Sequence, residues 1–73
     1  MTDATVIEFA HVRAVAQAAD RRNRYLRVSP EALAAARRAG IRMLLAGESA
    51  TAAAFRAERV VLEAWRAAGM PVA

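Results

Sequence analysis

Apolar residues recur at helical spacing in three blocks, and the breaks between the blocks carry Ser, Pro and Gly. In the first block Phe9, Val12, Ala16, Ala19 and Leu26, with Asn23 between the last two, follow one another at alternating steps of three and four. That is a heptad seam with one polar core position. Thr5-Val6-Ile7-Glu8 has the form of a capping box, with Thr5 as N-cap and Glu8 reaching back to its amide. A helix is predicted from there to about Asp20, and the stretch beyond is open between helix and strand.

Ser29-Pro30-Glu31 predicts the second helix, over 30–46. Ser29 can cap, Pro30 suits the first helical position, and Glu31 complements the positive end of the dipole. Gly40 either ends this helix or lies inside it. Continuation to Gly47 is favoured, because a five-residue strand at 41–45 would have no neighbour, and a glycine inside a helix costs only about 1 kcal/mol. A helix-turn-helix centred on Ala36, Gly40 and Ile41 ranks lower, since Gly47 would interrupt its recognition helix. Gly47-Glu48-Ser49 is the next break, and a third helix is predicted over 50–68. Ala54, Phe55, Ala57, Val61, Leu62, Ala64, Trp65 and Ala68 form its apolar face; Arg56, Arg59, Glu63 and Arg66 form the other.

Composition narrows what such helices can do. The 73 residues make one small domain, 1–73, too short for a dinucleotide-binding fold or a two-domain enzyme. Half of the hydrophobic residues are alanine, so a lone chain has little large apolar surface to bury, and a homo-oligomer is expected. Phe55, Val61, Leu62 and Trp65 are the predicted oligomer core. A Trp65→Ala change would cost about 3–5 kcal/mol if the ring were fully buried there. There is no cysteine, hence no disulfide frame or thiolate site. The apolar runs are too short to cross a bilayer, and Met1-Thr2-Asp3 does not begin a signal peptide. A cytoplasmic protein without membrane contact is expected.

Charge is unevenly placed. All basic residues are arginine; residues 11–42 hold eight of the 11, against Asp20 and Glu31. Within that span Arg21-Arg22-Asn23-Arg24-Tyr25-Leu26-Arg27 combines guanidinium groups for phosphates, an amide for base edges and a ring for stacking. Arg37 and Arg38, with Arg42, extend it. The competing readings are an acidic protein partner or a solvated helix end. Glu8 and His11 have Glu-x-x-His spacing, which di-iron bundles use in pairs, with Glu58 or Glu63 available to complete a site. The simpler reading is a helix cap and an exposed histidine. No triad partner for His11 and no glycine-rich phosphate loop is present, so neither catalysis nor a cofactor is expected.

From Asn23 to the end, the order of signals resembles the ribbon-helix-helix (Arc/MetJ-like) DNA-binding family. The resemblance implies a short strand at 23–28, helices after Ser29 and Ser49, and antiparallel strand pairing of two chains into a ribbon that enters the major groove. It places Leu26 and Val28 in the dimer core, and Asn23, Tyr25 and Arg27 outward against base edges. Arg21, Arg22, Arg37 and Arg38 would neutralise phosphates, and backbone amides near Ser49 would hold another. The fold class expected is therefore mainly α with that strand, and the function a small transcriptional regulator, an antitoxin or phage-type repressor. The alternative is an all-α three-helix oligomer, in which Asn23 and Leu26 stay helical as the heptad requires. Its function would be that of a non-enzymatic adaptor, binding a protein partner through Ala-rich faces and the arginine patch.

Overall fold

Ser29 and Ser49 start two of the helices as their positions in the sequence demand. Each sits in extended backbone, and its Oγ accepts a hydrogen bond from the amide three residues on: Ala32 for Ser29 and Ala52 for Ser49, both at 3.1 Å. Pro30 reinforces the first of these by disfavouring helical geometry at Ser29. Ser49 has no such support. A Ser49→Ala variant should lose about 1 kcal/mol, a fall in melting temperature of roughly 4–8 °C for a domain of this size, measured by far-UV circular dichroism.

In the computed structural model, which describes residues 8–71, the helices are α1 (Phe9–Tyr25), α2 (Pro30–Leu45) and α3 (Ala50–Ala67). Both α2 and α3 end in a Schellman motif. Gly47 donates to the Leu44 carbonyl and Glu48 to Met43; Gly69 donates to Arg66 and Met70 to Trp65. The two glycines have φ of 86° and 89°, the left-handed region in which a Cβ would be strained.

Two expectations are corrected at α1. Glu8 is the N-cap itself, with ψ 135° and no side-chain cap bond, rather than the closing residue of a capping box; Thr5 lies outside the described residues. The helix also runs on to Tyr25, and no strand forms at 23–28. Leu26 donates to the Arg22 carbonyl at 2.9 Å, and the Asn23 Oδ1 accepts from the Val28 amide at 3.0 Å, turning the chain towards Pro30. Helical hydrogen bonds are available locally, whereas a ribbon strand finds its partner only in a second chain. The all-α arrangement is the one observed. Gly40 lies well inside α2, which excludes the turn of the helix-turn-helix alternative.

The helices run up, down and up. Asp20 pairs with Arg37 and Val15 lies against Gly40, so α1 and α2 are antiparallel. Ala14, Gln17 and Arg21 of α1 line one recess with Ala50, Thr51, Ala54 and Glu58 of α3, so those two are parallel. Short links at 26–29 and 46–49 make this the compact solution.

Small side chains fill the centre. The buried positions are Val15, Ala18, Ala19, Ala36, Gly40, Leu44, Ala53, Ala57 and Val61. On α2 and α3 they recur every four residues, as Ala36-Gly40-Leu44 and Ala53-Ala57-Val61, giving each helix one narrow stripe. The closest approach is at Gly40. A Cβ there would stand 2.4 Å from Val15 Cγ1 and 2.9 Å from the Ala53 carbonyl oxygen. None of the described helices is long and apolar enough to cross a membrane.

Candidate interaction surface

Around this largely alanine interior Leu26, Leu33 and Met43 pack in part, while several of the bulkiest apolar side chains face outward. Phe9, Tyr25 and Phe55 are 73 %, 77 % and 61 % exposed, and Leu45 and Met70 are also exposed. This inverts the usual ranking, in which bulky side chains gain most from burial. Of the four residues expected in an oligomer core, Val61 is fully buried within the single chain. Phe55 is exposed, and Leu62 and Trp65 are half-buried. The Trp65 indole Nε1 donates to the Pro71 carbonyl at 2.8 Å, tying down the segment after α3. Its ring is not a core ring, so truncation will cost less than the full-burial figure.

Phe55 divides a shallow groove between α1 and α3. On one side lie Ala14, Gln17, Ala50, Thr51 and Ala54; on the other lie Arg22, Glu58, Arg59, Leu62 and Arg66. Ala14, Ala50 and Ala54 make a small apolar floor edged by Gln17 and Thr51, and the rim is charged. Glu58 is the electrostatic centre: Arg22 lies 3.3 Å from its carboxylate and Arg21 4.0 Å. Arg59 and Glu63 pair along α3 at 3.8 Å. These pairs are half-exposed and each is worth little by itself.

The arginine-rich segment is split by the fold. Arg21 and Arg22 face Glu58, and Arg37 is joined to Asp20. The Asn23 side-chain oxygen accepts from the Val28 amide, which holds that side chain against the α1–α2 link. Arg24, Tyr25 and Arg27 are exposed around the end of α1. Arg38 and Arg42 follow one another by four residues on the outer side of α2, and Arg42 shares a recess with Arg56. Among the described residues no carboxylate lies within 4.0 Å of Arg24, Arg27, Arg38, Arg42 or Arg56. The expected site is thus two sets: cations already matched within the chain, and a peripheral set that is not.

Sequence reasoning missed the groove. Its signal was present in the four-residue spacing of small residues on α2 and α3, which marks the buried stripes and leaves Phe55 off them.

Glu8 and His11 do approach, at 3.8 Å, on the exposed start of α1. Glu58 stands beside Arg21 and Arg22, ten residues further along α1 or about 15 Å at the helical rise. Among the described residues no three His, Cys, Asp or Glu side chains are grouped for a metal ion. Comparison with protein families, curated proteins and solved structures gives no match to this chain.

Proposed function

We propose that the chain is a non-enzymatic helical assembly module that binds protein through the α1/α3 groove. The observation that carries this reading is the inversion of side-chain size: alanine and glycine close the core, and Phe55 stands in solvent between apolar floor and charged rim. An exposed aromatic flanked by charge is the composition of an interface anchor. Arg21 and Arg22 support the same reading, since their guanidinium groups already answer a carboxylate.

A second reading, a DNA-binding regulator, is favoured by the unmatched Arg24, Arg27, Arg38, Arg42 and Arg56. Fluorescence anisotropy with random-sequence duplex across a salt series separates the two. Five phosphate contacts would give a slope of log K against log salt of about −4 to −5. The assembly module predicts a slope shallower than about −2 at comparable concentrations, since it makes few fixed phosphate contacts. A steep slope abolished by R38E/R42E but untouched by F55E would overturn the assembly reading in favour of DNA.

A further inference from the structure

The face of α3 that borders the groove is complementary to itself. Phe55 and Leu62 are separated by seven residues, or about 10 Å along the helix, and both line one recess with Glu58, Arg59 and Arg66. Glu58 and Arg59 lie midway between them. Consider two copies of α3 packed antiparallel, with a two-fold axis passing between positions 58 and 59. Phe55 of each copy then faces Leu62 of the other, and Glu58 of each faces Arg59 of the other. A parallel pairing would set Glu58 against Glu58 and Arg59 against Arg59. Charge therefore selects the antiparallel arrangement, and a two-fold interface requires this reciprocal matching.

We propose that the occupant of the α1/α3 groove is a second copy of this chain, joined as a symmetric antiparallel dimer through α3. The proposal rests on the reading of the groove as an assembly surface and names what covers it. Phe55 gains the burial it lacks in the single chain, where it is 61 % exposed. Glu58 keeps its contact with Arg22 at 3.3 Å, because a carboxylate has acceptor sites to spare. It becomes the middle of an Arg22–Glu58–Arg59 chain of charges that spans both copies. The groove floor opposite the end of the second α3 is Ala14, Ala50, Thr51 and Ala54, small enough to admit its last turns.

The test is sedimentation velocity of the intact chain over a concentration series, with circular dichroism as a check on folding. The wild type is expected to move from 7.8 kDa to twice that mass as concentration rises. F55E should weaken association by about thirtyfold or more, the scale of a lost interface anchor, with helicity unchanged because Phe55 is exposed in the single chain. R59E sets two acidic side chains opposite each other and should weaken the dimer about tenfold. The double variant E58Q/R59E removes that repulsion without adding a cation beside Arg21 and Arg22, and should recover association to within a few-fold of wild type. A chain that stays monomeric at every concentration overturns the proposal. So does a dimer indifferent to F55E, or one in which the double variant is no better than R59E. A monomeric chain that still loses a protein partner on F55E substitution would leave the assembly reading standing and remove only the self-association.

Discussion

Gly40→Ala should destabilise the fold by about 2 kcal/mol, a fall in melting temperature of roughly 10 °C or more. The sign is the informative part. In an exposed helix the same change gains about 1 kcal/mol, because alanine is the better helix former. At Gly40 the added Cβ meets Val15 Cγ1 at 2.4 Å, Val15 Cγ2 at 3.3 Å and the Ala53 carbonyl oxygen at 2.9 Å. Neither neighbour yields easily: Val15 is fully buried on α1, and the Ala53 oxygen belongs to the backbone of α3. Relief requires two helices to move apart together. The combination with Val15→Ala adds a second check. Truncating Val15 removes two of the three clashes, so the double variant should be more stable than the sum of the single losses implies. A Gly40→Ala protein that melts higher than wild type would mean that the three helices do not meet at this level.

Leu44→Ala should cost about 3 kcal/mol, in the middle of the range for buried leucine. Its neighbour Leu45→Ala should fall within about 0.5 kcal/mol of wild type. The sequence presents the two leucines as equivalent. In the structure Leu44 is 5 % exposed and Leu45 is 56 % exposed. Leu44 is also the largest side chain among the buried residues, so its loss cannot be taken up by other bulky groups. Chemical denaturation of both variants measures the pair directly. Equal losses would contradict the rotational setting of α2.

What was legible in the sequence was local. Ser29-Pro30, Gly47 to Ser49 and Gly69 each satisfy helix-end groups within a few residues, and the helix boundaries at those points fall within one residue of expectation. The 23–28 segment is open in the sequence because two patterns coincide there. Asn23, Tyr25 and Arg27 alternate with Leu26 and Val28 as a strand would, while the heptad through Asn23 and Leu26 continues the helix. The outcome turns on single hydrogen bonds, Leu26 to Arg22 and Val28 to Asn23, which no periodicity reports. The arginines were legible as a cluster and not as a site. Arg22 meets Glu58, 36 residues away, and that pairing follows only from the parallel placement of α1 and α3. Phe55 and Trp65, the obvious anchors by area for an oligomer, stay out of the single-chain core, where a stripe of alanines packs helices closer than an aromatic ring allows.

That alanine stripe also shapes how the fold responds to temperature. Heat capacity rises on unfolding mainly through newly hydrated apolar surface, and is lowered by newly hydrated peptide groups. Here the buried side chains are mostly methyl groups, with Val15, Leu44 and Val61 the larger ones, and Leu26, Leu33, Met43 and Val60 add burial only in part. The heat-capacity increment per residue is accordingly small, and the free-energy curve broad and flat. Such a chain holds a modest stability over a wide thermal range, with neither a sharp optimum nor a strong tendency to come apart in the cold.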